Sequence, residues 1–245
     1  MELAPHLHRL GTSSLVNSYL IDDGGQLTVI DAGLPGLWND LQRELAVLGR
    51  SLHDVKALLL THGDVDHVGF AERLRTEARV PVYVGAADAA EARGEVPKPS
   101  TPRDPMKLRP MLGFLAFGMT HGGLRRTSVS EVQPIEGGTT LDVPGSPRVI
   151  PLPGHTPGSV AYHVPAVDAI FMGDGMTTRS VVSGVVGPQL GPFTVDPEQA
   201  LRSLDALDGI APTWVLPGHG DAWWTGLPEA IRLIKASRAG KEGAG

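Results

Sequence analysis

The chain has no cysteine in its 245 residues. Disulfides, thiolate metal ligands, iron–sulfur centres and cysteine nucleophiles are therefore excluded. Basic charge is also short: 21 Lys and Arg stand against 27 Asp and Glu, a net charge of −6. Without a basic excess to hold a phosphate backbone, nucleic acid is not expected as a partner. No apolar run approaches the length of a membrane span, so no membrane is expected either. The opening residues, Met1-Glu2-Leu3-Ala4-Pro5-His6, do not pair a basic segment with an apolar one, and the expected location is cytoplasmic. Two common catalytic devices are missing as well, the G-x-S-x-G nucleophile elbow and the G-x-x-x-x-G-K phosphate loop.

What remains suffices for a substantial core. The mass is 25.8 kDa and 41% of the residues are hydrophobic, which fits one large α/β domain or two small ones. The preferred reading is one domain over residues 1–236 with a flexible tail at 237–245. The 31 Gly and 21 Pro point to many short strands and tight loops.

One stretch concentrates the chemistry. Thr61-His62-Gly63-Asp64-Val65-Asp66-His67-Val68-Gly69 holds two imidazoles and two carboxylates in six residues. The apolar run Val55–Leu60 before it reads as a buried strand, and Phe70–Arg75 after it as a helix. A loop at the carboxyl end of a strand is where open α/β sheets place ligands. Imidazole with carboxylate suits zinc, iron or manganese. Taken alone, the loop is as readily a capped turn.

Three more predicted strands end in a similar way. Leu152 leads to Pro153-Gly154-His155, Met172 to Gly173-Asp174-Gly175, and Leu216 to Pro217-Gly218-His219. Each polar residue is flanked by Gly or Pro, which lets backbones approach a common centre. Asp31, at the end of the predicted strand Leu27–Ile30, reads either as a carboxylate that orients a metal-bound His or as a turn residue.

Other strands are expected at His6–Leu10, Val16–Ile21, Val80–Val84, Val132–Ile135, Thr139–Val143, Arg148–Leu152, Ser159–Val164, Ala169–Met172 and Thr213–Leu216. Helices are expected at Leu37–Leu48, Ala86–Arg93, Asp196–Leu207 and Leu227–Ser237. The proline-rich stretch Glu95–Pro110 breaks this pattern, and the apolar run Met111–Met119 follows it. The run reads as a core helix or, preferably, as part of an insertion at about 95–130 that lies over the sheet as a lid. Its Met and Phe residues suit an apolar substrate pocket. It is equally suited to a homodimer patch.

The ordered set His62-x-Asp64-x-Asp66-His67, His155, Asp174 and His219 resembles the metallo-β-lactamase superfamily, whose loop reads His-x-His-x-Asp-His. The resemblance includes Asp31-x-Gly33 and runs from about Leu7 to about Leu233. It implies an α/β (α+β) fold, a four-layer αββα sandwich with a dinuclear site along one edge. It further implies one metal on His62, Asp64 and His155, a second on Asp66, His67 and His219, and Asp174 as the bridge. Two divalent ions are expected, zinc first, with manganese or iron as alternatives. Asp64 stands where the family carries His, which makes that half harder and weaker as a Lewis acid. The diiron members of the family carry Glu there, so they resemble this chain more closely at that position.

The implied function is hydrolysis of a lactone, ester or thioester of a small molecule by a metal-bound hydroxide, with Asp66 as proton acceptor and donor. The alternatives are a diiron-type oxidoreductase and a metal-binding protein weakened by Asp64. A β-lactamase role is disfavoured, because such enzymes are mostly exported. A glyoxalase II-like thioesterase calls for basic residues, for which Lys107 and Arg125-Arg126 are candidates. A quorum-quenching type of lactonase usually has a Tyr near the bridging Asp, where this chain has Met176-Thr177-Thr178. His6, His8, His53 and His163 read as surface or packing residues, as does Tyr162. His121 is the one remaining histidine with a route to the pocket.

Overall fold

Strand β1 (Glu2–Ala4) opens a seven-stranded sheet that proceeds in chain order through β2 (Leu7–Arg9), β3 (Tyr19–Asp23) and β4 (Gln26–Ile30). The first four strands are antiparallel, with Gly24 and Gly25 at positive φ forming the β3–β4 hairpin. Helix α1 (Trp38–Val47) then crosses over, Gly49 ends it at φ 65°, and the direction changes. Strand β5 (Val55–Leu59) lies parallel to β4. Helix α2 (Ala71–Ala78) leads to β6 (Val82–Gly85), parallel to β5. The short α3 (Ala89–Ala92) and the longer α4 (Leu108–Thr120) precede β7 (Gln133–Ile135), the last parallel strand. This computed structural model describes residues 1–102, 105–125 and 127–242, and backbone alone for 238–242.

The second sheet is β8 (Arg148–Pro151), β9 (Val160–Val164), β10 (Ala169–Gly173) and, after a hairpin of β11 (Thr177–Arg179) with β12 (Val186–Gln189) and helix α5 (Pro197–Ser203), β13 (Trp214–Pro217). Its order is β13-β10-β9-β8, with β13 parallel to β10 and the other pairs antiparallel. Helix α6 (Leu227–Glu242) closes the chain.

The layering follows from period-two alternation. On β5, Leu58 faces α1 and α2, and so does Val55, which lies ahead of a shift in register with β4, and Leu41, Leu45 and Leu74 meet them. Ala57 and Leu59 face the second sheet and its Val149, Tyr162 and Phe171. On the far side of that sheet, Ile150, Leu152, Ile170 and Met172 pack on Leu204, Leu207, Leu227 and Ile234. Helix, sheet, sheet and helix therefore stack as αββα. Among the described residues no helix is long and apolar enough to cross a membrane.

Several elements depart from the sequence reading. Thr139–Val143 is not a strand, and only Thr140 makes an isolated bridge, to Arg148. Gly137-Gly138 and Pro144 confine it to a turn that doubles back on β8. The expected helix Ala86–Arg93 splits into a 3-10 turn, Ala86–Asp88, and α3. Asp196 does cap α5, its carboxylate accepting from Gln199 N at 2.8 Å, and a 3-10 turn completes the segment to Leu207. Helix α6 continues past Ser237 to Glu242, so the expected tail is helical for most of its length. No residue of α4 is buried, so a core helix is excluded. Phe114 and Phe117 rest on the core, while Leu108, Leu112, Leu115 and Met119 are 51–69% exposed.

Candidate metal centre

Six strands deliver the polar side chains to one edge. Strands β4, β5 and β6 are parallel, so Asp31, the His62–His67 loop and Asp88 leave the first sheet at the same end. Strands β8, β10 and β13 likewise run together and deliver His155, Asp174 and His219. The sheets are tied there by Val160 N to Thr61 O, 2.9 Å. Close approach requires glycine at two positions. A Cβ on Gly218 would lie 2.1 Å from Asp174 Oδ1, and one on Gly173, at φ 49°, would lie 2.3 Å from Thr61 Oγ1.

All seven residues predicted from sequence as ligands come together here, in three overlapping groups. These are His62, Asp64 and His155; His62, His67 and Asp174; and Asp66, His67 and His219, with donor atoms inside each group within 4.8 Å of one another. His62 Nε2 lies 3.4 Å from Asp64 Oδ2, and His155 Nε2 lies 3.0 Å from the same oxygen. His219 Nε2 stands 3.3 Å from Asp174 Oδ2 and 3.5 Å from Asp66 Oδ2.

The outer nitrogens of the rings are already committed. His67 Nδ1 meets Asp31 Oδ2 at 2.9 Å, and His219 Nδ1 meets the Leu15 carbonyl. Thr61 donates its hydroxyl to Asp31 Oδ2 at 2.8 Å and so accepts from His62 Nδ1 at 2.9 Å. Thr194 donates to Gly191 O, which leaves its oxygen to receive His155 Nδ1 at 3.3 Å. With every Nδ1 occupied by an acceptor, Nε2 is the atom each ring presents to the interior.

Three of the inward atoms, His62 Nε2, His67 Nε2 and Asp174 Oδ1, are buried with no hydrogen-bond partner among the described residues. The closest approach of His67 Nε2 to Asp174 Oδ1 is 3.6 Å, beyond a hydrogen bond. Orphaned buried donors of this kind are costly, and a cation would satisfy all three at once. The donor set therefore fits one or more divalent ions.

The electrostatics agree. Burial opposes a charge on His67, but Asp31, Asp66 and Asp174 outweigh it and raise its pKa to about 10. His219 is raised to about 9, burial again being overcome, here by Asp174 and Asp66. Asp174 and Asp64 are held well below the carboxylate range despite burial, Asp174 by His219, His155 and His67 and Asp64 by His155 and His62. His155 is lowered, chiefly by burial. The pocket thus attracts positive charge, as a cation site must.

Three contributors, Asp88, Glu91 and Lys98, were not anticipated from sequence, and a fourth, Phe114, belongs to the apolar run expected to line a pocket. Asp88, 1% exposed, accepts from Gly63 N (3.1 Å), Gly158 N (2.7 Å) and Thr156 Oγ1 (2.5 Å), and so joins the His62 loop to the His155 loop. Glu91 is raised to about 8 by burial and by the charges of Asp64 and Asp88. Lys98 donates to Asp64 Oδ2 and contacts His155 Nε2 at 3.0 Å. Phe114 on α4 sets its ring edge-on to His219, centroids 6.1 Å apart. Only Asp88, a carboxylate just after a strand, carries a signal like that of the predicted ligands.

Asp31, read as either an orienting carboxylate or a turn residue, does both: it holds His67 and Thr61 from a left-handed backbone, φ 57°. His121 lies away from the cluster, stacked on Phe117 at 4.0 Å beside a cavity of about 160 Å³ lined by Leu10, Ser13, Leu37 and Asp40. His8 is buried against Glu44 at 3.0 Å, His53 is exposed and His163 half-buried in β9. Tyr162 is buried and donates to Leu60 O. Lys107 and Arg125 are exposed, and Arg126 lies outside the described residues.

The chain is similar to several known proteins. The chain is 30% identical over 214 residues to YobT of Bacillus subtilis, covering 84% of this chain and 83% of that one. It is 27% identical over 235 residues to YflN of the same organism, described as a probable metallo-hydrolase, covering 89% and 85%. Among solved structures, TTHA1623 in a di-iron-bound form superposes with a TM-score of 0.63 at 29% identity, over 92% of this chain and 96% of that one. The profile of the Metallo-beta-lactamase superfamily matches residues 11–219, from the turn before β3 to His219 itself, and the chain belongs to that superfamily.

Proposed function

We propose that the protein is a metal-dependent hydrolase that cleaves a carboxylic ester-type bond in a small molecule, an ester, lactone or thioester with an apolar part. The observation that carries this reading is the convergence of His62 Nε2, His67 Nε2 and Asp174 Oδ1, buried and without partners among the described residues. His62, Asp64 and His155 would hold one divalent ion, Asp66, His67 and His219 a second, with Asp174 between them. Bound there, such ions supply a water acidic enough to ionise near neutral pH and polarise a carbonyl oxygen.

The chain's own groups do the rest. Asp66 is only half-buried and lies 3.5 Å from His219, so it can take a proton from the reacting water and return it to the leaving group. Asp31 and Thr61 hold the rings of His67 and His62 in one orientation. Phe114, with α4 behind it as a lid, forms an apolar wall beside His219 that excludes water and receives the apolar part of the substrate. Mixed imidazole and carboxylate favour zinc, while Asp64 shifts the first site toward manganese or iron. The probable metallo-hydrolase YflN supports the hydrolase reading. The di-iron form of TTHA1623, with Asp64, favours iron-dependent redox chemistry as the second reading.

The test is elemental analysis of protein grown with zinc, manganese or iron, followed by assay of each form on ester, lactone and thioester panels. Turnover that Asp66→Asn lowers is the expected result. Ion-loaded protein inert on all three panels would sink the hydrolase reading, and exclusive iron uptake with that inertness would favour the redox one.

A further inference from the structure

Lys98 lies in the proline-rich stretch between α3 and α4, flanked by Pro97 and Pro99. Long ammonium side chains are rarely withdrawn from water unless a partner compensates. This one is 20% exposed and has two partners, the Asp64 carboxylate and His155 Nε2 at 3.0 Å. Among the described residues, no other lysine or arginine reaches any of the seven candidate ligands. The proline on each side narrows the backbone of the segment, so seating the ammonium costs less order than it would in a free loop.

The atoms Lys98 uses are the ones an ion would use. His155 donates through Nδ1 to Thr194, so its Nε2 offers a single lone pair, and that lone pair faces Lys98. Asp64 Oδ2, the oxygen shared with His62 and His155, receives the ammonium hydrogen. An ammonium and a divalent ion cannot hold both atoms together. The other half of the cluster, Asp66, His67 and His219, has no such competitor among the described residues. Asp64, the residue that departs from the family's histidine, supplies the charge that a lysine needs and an imidazole would not.

We propose that Lys98 is a displaceable internal cation seated in the His62–Asp64–His155 half of the centre, so that the chain takes its first divalent ion at Asp66, His67 and His219 and a second only by expelling Lys98. The proposal rests on the metal-binding reading above.

Two measurements test this. Manganese and zinc are titrated calorimetrically into ion-free wild type and K98M, which keeps the length and removes the charge. Loss of a charge-assisted pair of this kind should raise affinity for the second ion roughly 10- to 100-fold and leave the first unchanged. In the unmodified chain, reductive methylation read by mass spectrometry should find Lys98 slow to react with no ion or one, and fast at saturating ion. Second-ion affinity unchanged in K98M, or a K98M chain that still stops at one ion, overturns the proposal. So does a Lys98 labelling rate indifferent to ions. A wild type that takes up no ion at all overturns the underlying reading, and the proposal falls with it.

Discussion

Asp31→Asn exchanges one oxygen for an NH2 group at a buried position and keeps the shape. Asn tolerates the left-handed backbone at φ 57° as well as Asp does, so the strand end should not move. The native carboxylate accepts from Thr61 N at 2.7 Å, Thr61 Oγ1 at 2.8 Å and His67 Nδ1 at 2.9 Å. An amide has one acceptor oxygen for these three donors. If its nitrogen faces His67, the imidazole must accept through Nδ1, and its proton moves to Nε2, the atom that should face an ion. If its nitrogen faces Thr61 N, two buried donors oppose one another. Disturbing a partner that orients a metal-bound histidine typically costs 10–100-fold in ion affinity, about 1.4–2.7 kcal/mol. The fold loses charge-assisted hydrogen bonds worth ~1–3 kcal/mol, which for a chain of this size lowers Tm by roughly 2–12 °C. Calorimetric titration with zinc, beside thermal melts of the ion-free proteins, measures both. The expected result is weaker uptake at the His67 half in a variant that still folds. Affinity within twofold of wild type would refute the claim that Asp31 sets the ring's tautomer.

Two further expectations follow from residues outside the ligand set. Asp88→Ala removes three buried hydrogen bonds and strands the Gly63 and Gly158 amides, at a cost of ~3 kcal/mol; a melt should fall by roughly 6–12 °C, and a fall under ~2 °C would show that the two loops are held some other way. Glu72 tests pH dependence: Arg75 at 2.9 Å and Ser130 hold its pKa at about 2, below its ordinary 4.5. A lowered carboxylate pKa stabilises above pH 4.5 and loses that contribution as pH falls toward 2. Partial exposure limits it to ~1 kcal/mol, so denaturation midpoints of wild type and Glu72→Gln should differ at pH 7 and converge near pH 2. A constant gap would reject the pairing.

The convergence of the candidate ligand positions was legible because their signal is local. Each ends an apolar run and sits between residues that permit a sharp turn, so strand, turn and donor are read together in fewer than ten residues. Parallel strands then bring those ends to one edge without further information. The same locality explains what was lost. Thr139–Val143 has strand composition, but its neighbours Gly137-Gly138 and Pro144 leave no room for a ladder. Strand β11 is only three residues long, β12 is interrupted by Gly187 and Pro188, and each exists only because it supplies the other's partners. Helix α4 is apolar from Met111 to Met119, which composition alone assigns to a core as readily as to a lid; only the packing shows that its phenylalanines face inward while Leu108, Leu112, Leu115 and Met119 remain outside.

The residues that hold the centre together were harder to see for a different reason. Asp88 bridges to Gly158 across 70 positions, and Lys98 reaches His155 across 57. Asp88 follows a strand as the candidate ligands do but stands between two alanines, and Lys98 sits among prolines. Their meaning depends on the sign of what surrounds them. Three carboxylates, Asp64, Asp66 and Asp174, share one small buried volume with four imidazoles, and in the absence of positive charge their mutual repulsion would open it. Lys98 offsets that repulsion beside Asp64. A reading confined to ligand types registers the donors and misses this compensation. Lys98 stands out for that reason, because Asp64 brings a charge to a position where the family's histidine would bring none.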